Sequence, residues 1–401
     1  MKVQESTIES YVERLKSLDT KDTHDLQALM SRAINEKMTP SLSIWIGIDP
    51  QKSGCRAERT FTLGRQEHES LSTIVSPQSI YDLASLTKPL ATAAWFSYLV
   101  SSCQLDPHQE IQHFVHCEDP SLGKVAIWRL TNHSSGLPAH HEYHKGLIAQ
   151  RLNEHRNPLM FKQTVRRMIS ATSSVYFSGE KSIYSDLGYL LLEWICEKVS
   201  GETLDQYWRK QHDHSSLHFQ ALSPEPVLNT DTAIPTQSEY IPTEQCPWRQ
   251  RLLQGEVHDD NAWLMGGVCG HAGLFGTARA AGLEGASWLR AYHGESSTLK
   301  ADSSTIQWML DMKHRAPNQG SFVMGWDTPS AGYSSAGSSF KRPTIGHLGF
   351  TGTSLWMDLE HRVIIAILSN RVYPHRNRSE SKNGIRWLRP TIHNELWRLI
   401  K

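Results

Sequence analysis

Runs of β-forming residues stand near both ends of this 401-residue chain and hardly anywhere between, and that placement limits the fold more than any other feature. Toward the N-terminus, Ser41-Leu-Ser-Ile-Trp-Ile-Gly-Ile48 and Arg59-Thr-Phe-Thr-Leu63 flank a polar turn containing Ser53-Gly54, the pattern of an antiparallel hairpin. Toward the C-terminus, Thr344-Ile345, Thr353 to Met357 and Val363 to Leu368 read as strands. Between them, from about residue 105 to 280, the texture is helical with long loops. Strands so far apart in sequence share one core only if both termini build one sheet and the middle is inserted into it. The expected fold is therefore α+β. An antiparallel sheet, flanked by helices, comes from residues 1–84 and 285–401, and a mostly helical subdomain from residues 85–284.

The helices have their own signatures. Ile8, Tyr11, Val12, Leu15 and Leu18 trace one apolar face, and Leu26, Leu29, Met30, Ala33 and Ile34 a second. From Leu83 to Val100 the chain is apolar enough for a buried helix. Asp186 to Val199 forms another, closed by Ser200-Gly201 in the manner of a C-terminal cap. A last helix is expected after Pro390, with Ile392, Leu396, Leu399 and Ile400 inward. The Pro-, Ser- and Thr-rich stretch 211–250 reads as an ordered excursion or loop.

Composition excludes several function classes. Lys+Arg and Asp+Glu both total 41, and no basic block occurs, so a nucleic-acid partner is not expected. No apolar stretch is long enough to span a membrane, and the first residues lack the apolar core of a secretory signal. A cytoplasmic location is the expectation. Six cysteines without C-x-x-C spacing suggest free thiols, and no metal or cofactor is indicated. His140 and His144 have i,i+4 spacing, but among 21 histidines such pairs arise by chance. Nothing in the sequence signals an oligomeric state.

The chain contains no G-x-S-x-G, no H-E-x-x-H and no phosphate-binding G-x-x-x-x-G-K-[ST]. S-x-x-K remains, at Ser85/Lys88, Ser121/Lys124, Ser178/Lys181, Ser297/Lys300, Ser338/Lys341 and Ser379/Lys382. Five of these lie in polar surroundings. Only Ser85-Leu-Thr-Lys88 opens an apolar helix, where a buried amine needs a reason. A desolvated lysine has a lowered pKa and can take a serine proton. Pro89 fits a first helical turn and puts the Ser85 hydroxyl near a helix N-terminus. From the residues alone, Ser85 is equally well an ordinary helix cap with Lys88 reaching to water.

With Ser85-Leu-Thr-Lys88, the ordered elements Tyr184-Ser185-Asp186 and His347-Leu348-Gly349 resemble the serine β-lactamase and penicillin-binding-protein superfamily, on its class C β-lactamase and esterase side. The stretches Leu130-Thr-Asn-His-Ser-Ser-Gly-Leu-Pro138, Gly266-Gly-Val-Cys-Gly-His-Ala-Gly-Leu-Phe275 and Gly349-Phe-Thr-Gly-Thr-Ser-Leu355 are similar to segments of that family too. His144-Lys-Gly146 and His271-Ala-Gly273 also spell H-x-G, but neither precedes an evident strand, and Lys52-Ser53-Gly54 reads as a hairpin tip.

The resemblance implies a β-lactamase/transpeptidase-like fold with an active site in the cleft between the two subdomains. It further implies a serine acyl hydrolase in which Ser85 forms an acyl-enzyme and Lys88 and Tyr184 share the proton work. Backbone N–H groups of Ser85 and Phe350 would form the oxyanion hole beside Gly349. The substrate would be a small ester, an amide or a cell-wall fragment. Two residues depart from the family pattern. Asp186 replaces the usual Asn, adding a negative charge if ionised, and His347 replaces the lysine of β-lactamases, with an ordinary pKa near ~6.5. Both changes disfavour carboxylate-bearing β-lactams, unless Arg371 restores a clamp for the carboxylate. The alternative reading is a catalytically silent protein of this fold that binds a ligand or partner.

Overall fold

The structure is a computed structural model and describes residues 4–51, 54–154, 157–212, 216–222, 236–317, 320–340, 343–377 and 384–401. In chain order, α1 (Glu5–Ser17) and α2 (His24–Asn35) precede the hairpin of β1 (Ser41–Gln51) and β2 (Gly54–Gly64). Helix α3 (Asp186–Ser200) lies in the middle region, and α4 (Ala278–Tyr292) leaves it. Strands β3 (Thr344–Leu348), β4 (Ser354–Asp358) and β5 (Val363–Ser369) follow, then α5 (Ile385–Ile400). The sheet order is β2-β1-β5-β4-β3, antiparallel throughout, so β1 of the N-terminal hairpin pairs with β5 of the C-terminal strands.

Side chains alternate across this sheet and separate two cores. Leu42, Ile44, Ile46 and Ile48 of β1, with Val363, Ile365 and Ile367 of β5, pack with residues of α1, α2 and α5. Trp45, Ile364, Ala366 and Leu368 face the other way, toward α4 and the middle region. Since both faces are covered, β1 and β5 read as nearly continuous apolar runs.

Three sequence expectations need correction. The Leu83–Val100 segment is not one α-helix. It runs as a 3₁₀ turn (Ala84–Leu86), a π-helical turn (Lys88–Ala93) and an α-helix (Ala94–Ser101). Pro89 contributes no N–H to this ladder, and the wider turn lies where the chain must present Lys88. The last helix starts at Ile385, five residues before Pro390, because Ile385 and Leu388 extend its buried face. The Arg386 carbonyl, which Pro390 cannot bond, accepts the Tyr333 hydroxyl instead. Finally, His271-Ala-Gly273 does precede a strand, the short Leu274–Gly276. Residues 52–53 of the hairpin tip, 213–215 and 223–235 of the excursion, and Lys341, Ser379 and Lys382 of the S-x-x-K pairs lie outside the described residues. Among the described residues, no helix is long and apolar enough to cross a membrane.

Helix α4 approaches the sheet closely over Trp45. The Trp45 ring fills the space where a Cβ on Gly282 would sit, 2.2 Å from its nearest carbon, and the indole N–H donates to Glu58 Oε2 at 2.9 Å. Gly282→Ala would raise helix propensity at an exposed position, but here it must displace a buried indole. We expect a loss of about 1–3 kcal/mol, read as a Tm lowered by several degrees. A raised Tm would show that Trp45 does not set this spacing.

Candidate active site

Ser85 sits in the 3₁₀ turn, preceded by Ala84 at a φ of 49°, a strained conformation for a residue with a Cβ. The surroundings hold it there. Asp82 accepts the Ala84 N–H at 2.8 Å on one carboxylate oxygen and the His258 N–H at 2.7 Å on the other. The turn between β3 and β4 is tied to the same segment. Thr351 donates to the Asp82 carbonyl at 2.8 Å and Thr353 to the Leu83 carbonyl at 3.0 Å. At Gly349 a Cβ would stand 2.0 Å from Thr353 Oγ1 and 2.5 Å from the Leu83 carbonyl, so only glycine permits this approach. Arg389 fixes the turn from behind, donating to the Gly349 and Thr353 carbonyls at 2.9 and 2.8 Å. Among the described residues, neither the Ser85 nor the Phe350 N–H donates to a protein acceptor.

Lys88 is fully buried, its ammonium over the Tyr184 ring at 4.8 Å and met by three polar groups. Its Nζ donates to Ser85 Oγ at 3.0 Å and to the His271 carbonyl at 3.1 Å, and it pairs with Asp186 Oδ1 at 2.7 Å. The glycine-rich 266–275 segment is thus the wall against which this turn is clamped. Thr92 donates to the Gly270 carbonyl, Thr87 accepts the Leu274 N–H, and the Gly270 N–H is held by the buried Glu193. The 130–138 segment does the same for Tyr184 and Asp186. Ser185 donates its N–H to His133 Nδ1 at 3.0 Å and its hydroxyl to the Pro138 carbonyl at 2.7 Å, and caps α3 at Gly188.

These contacts decide the protonation states. Burial by itself would lower the Lys88 pKa, but the Asp186 carboxylate outweighs it and holds the amine above the usual lysine value. The expectation of a desolvated lysine with lowered pKa is therefore corrected, because the carboxylate next to it supplies what water no longer does. For Asp186 burial again opposes, and Lys88 and His140 prevail, keeping the carboxyl well below the usual range. Its charge is directed at Lys88 and at His140, whose Nδ1 lies 3.0 Å from Oδ2, not at the open cleft. Tyr184 is buried with its hydroxyl unbonded among the described residues, although Lys88 and Ser85 lie near enough to favour its ionised form. Burial wins, and the phenol is raised above its ordinary pKa.

His347 also departs from an ordinary histidine. Burial and the nearby Lys88 push its pKa down to about 3. The neutral ring donates from Nδ1 to its neighbour's carbonyl, that of Leu348, at 2.9 Å, which leaves Nε2 as a buried acceptor without a partner among the described residues. His133, between Tyr184 and Tyr189, is likewise kept neutral by burial and Lys88.

Ser85, Tyr184, Asp186, His347, Gly349, Phe350 and Arg371 all line one cavity of about 730 Å³, with Lys88 behind Ser85. The Arg371 guanidinium stands 4.9 Å from the Phe350 ring, which is half exposed at the mouth. Several lining residues were not singled out from sequence. Arg376 bridges Glu244 and Asp260, and Asp327 has its carboxyl pushed up to about 6 by burial. His140 was noticed only for its spacing from His144. The available signal was its place two residues after the 130–138 segment, since the Asp186 N–H donates to the Ala139 carbonyl at 2.9 Å.

Comparison with known proteins places the chain in a family. A putative D-alanyl-D-alanine carboxypeptidase of Salmonella agona (strain SL483) is 28% identical over 325 residues, covering 75% of this chain and 71% of its own. The octameric penicillin-binding protein homologue from Pyrococcus abyssi superposes with a TM-score of 0.63 at 20% identity, over 87% of this chain and 73% of that one. EstCE1, a hydrolase with promiscuous acyltransferase activity, gives 0.63 at 14% identity, over 97% and 99%. The family profile described as Beta-lactamase matches residues 60–386, and the chain belongs to the beta-lactamase family of serine hydrolases and penicillin-binding-protein-like folds.

Proposed function

We propose that this protein hydrolyses small esters or amides, including peptide fragments of cell-wall type, through an acyl-enzyme on Ser85. The reading rests on one observation, the Ser85 hydroxyl 3.0 Å from a buried lysine beside two backbone N–H groups that have no protein acceptor among the described residues. Ser85 Oγ attacks the carbonyl carbon, and the oxygen that gains charge is met by the N–H groups of Ser85 and Phe350. The serine proton passes to Lys88 and from there, with Tyr184, to the leaving group. Water then releases the acyl group by the reverse path. The cleft runs between the sheet part (1–84 and 285–401) and the helical part (85–284).

Substrate choice follows from charge. His347 brings no cation to Ser85 at any ordinary pH, so a carboxylate next to the reacting carbonyl has little to attract it there. Arg371, farther out against Phe350 on the same cavity, is the cation for a terminal carboxylate, as a cell-wall peptide carries. The name of the Salmonella relative favours such a peptide, and the similarity to EstCE1 favours esters.

Three outcomes test the reading. Ser85→Ala should lose p-nitrophenyl ester hydrolysis by more than 100-fold and lose fluorophosphonate labelling, while Tm moves by no more than a few degrees. A variant keeping a tenth of native turnover would remove Ser85 from the nucleophile's role. Short p-nitrophenyl esters should be turned over with a kcat/KM well above that for nitrocefin, and comparable values would overturn the charge argument. His347→Lys should then shift the nitrocefin-to-ester ratio upward by several-fold, and an unchanged ratio would place His347 away from the substrate.

A further inference from the structure

The resting site has a proton in the wrong place. Lys88 is the amine next to Ser85, yet Asp186 keeps it protonated, and an ammonium cannot take the serine proton. Tyr184 is held as the neutral phenol by burial. His347 and His133 are too weakly basic to retain a proton, being buried beside the Lys88 cation. One group on the far side of the carboxylate differs. His140 lines the cavity with its side chain 43% exposed, and its Nδ1 lies 3.0 Å from Asp186 Oδ2 while Lys88 Nζ lies 2.7 Å from Oδ1. Beside an ionised carboxylate, Nδ1 must be the donor, which leaves Nε2 as the nitrogen that gains or loses a proton.

We propose that His140 is a positioning residue that acts through Asp186 to free Lys88 as the base, the imidazole and the amine sharing one carboxylate and one proton. The inference rests on Ser85 being the nucleophile. In the resting arrangement Lys88 is the cation and His140 is neutral. In the reactive arrangement His140 is the imidazolium, charged at both nitrogens and paired with Asp186, and Lys88 is the neutral amine facing the Ser85 hydroxyl. The two carry the same number of protons and interconvert by exchange with water at the exposed imidazole. In acylation the Ser85 Oγ–C bond forms and the C–O or C–N bond to the leaving group breaks, while the serine proton goes to Lys88 and from Lys88 to the departing oxygen or nitrogen. No proton is gained or lost overall.

The surroundings of His140 favour its charged form. The hydrogen bond to Asp186 raises its pKa above the ordinary histidine value, burial opposes, and Asp259 and Glu142 add to the rise. Both of these acids are themselves engaged, Asp259 with His271 at 2.9 Å and Glu142 with Lys145 at 2.7 Å. Lys88, behind Asp186, is the opposing cation. Asp in place of the family's Asn is what the arrangement requires, since an amide would neither hold the lysine charged nor attract an imidazolium.

The pH profile of ester hydrolysis tests this. Native kcat/KM should show a plateau in the neutral range and fall on acidification, as a second proton fills the pair and Lys88 stays an ammonium. The midpoint of that fall should lie above the ordinary ~6.5 of histidine. In His140→Gln the only remaining proton sits on Lys88, so kcat/KM at pH 7.5 should drop by 10-fold or more and climb about tenfold per pH unit without a neutral plateau. Adding Asp186→Asn removes the counter-charge that holds the lysine protonated. The double variant His140→Gln/Asp186→Asn should therefore regain a plateau and exceed His140→Gln alone. Imidazole in solution should restore part of the turnover of His140→Ala. Native-like rate and profile in His140→Gln, or a double variant worse than either single one, would overturn the inference. Fluorophosphonate labelling of the native protein separates the cases. Absence of labelling refutes the Ser85 reading, whereas labelling together with an indifferent His140 refutes only this one.

Discussion

A lysine ammonium taken wholly out of water is tolerable only if something replaces its hydration, and here the Asp186 carboxylate at 2.7 Å does so. Everything near Ser85 is arranged around that pair. The remaining donors of Lys88 go to Ser85 Oγ and to the His271 carbonyl, so the amine has no freedom to reach solvent. Removing one partner of such a pair leaves the other as an uncompensated buried charge. The 130–138 and 266–275 segments exist on either side of it to hold the backbone that presents the two charges.

The sheet supplies the second half of the geometry. Strand β3 lies at its edge, and the turn that follows is bonded through Thr351 and Thr353 to the residues just before Ser85. A strained Ala84 on one side and a glycine without room for a Cβ on the other bring the Ser85 and Phe350 N–H groups to the same cavity. The strain is sustained because the Ala84 N–H and the Asp82 and Leu83 carbonyls are each held by a buried side chain. Rigidity here comes from hydrogen bonds between segments about 190 to 270 residues apart in sequence.

Much of this architecture was legible in the sequence, for identifiable reasons. The strands were visible because their residues are β-branched and apolar over short runs, and α3 because Gly201 closes it with a φ of 73°. The order of the short blocks put Ser85, Tyr184 and His347 into one neighbourhood before any geometry was known. What was hidden depends on contacts between distant segments. The α5 start was obscured by Pro390, because the substitute donor for the Arg386 carbonyl comes from Tyr333, 53 residues away. The direction of the Lys88 shift is not legible in the sequence, where burial shows but the counter-charge does not. Nor does the sequence say that Lys88 and His140 each take one oxygen of Asp186.

The same cation, second to burial, also acts on the other titratable groups around it. Lys88 is among the causes that keep both His133 and His347 neutral, and its field partly offsets the burial that raises Tyr184. Lys88 and Asp186 form the innermost pair, and Asp186 in turn meets His140. In such low-dielectric surroundings a charge that develops on a substrate oxygen is sensed strongly by fixed dipoles and by that one ammonium. A lysine at position 347 would crowd a second cation against the first. The neutral imidazole there, with Nδ1 bound to the Leu348 carbonyl and Nε2 without a partner among the described residues, avoids that repulsion. Asp186 and His347 thus form one electrostatic solution: the carboxylate allows the lysine to stay charged, and the charged lysine requires the histidine to stay neutral.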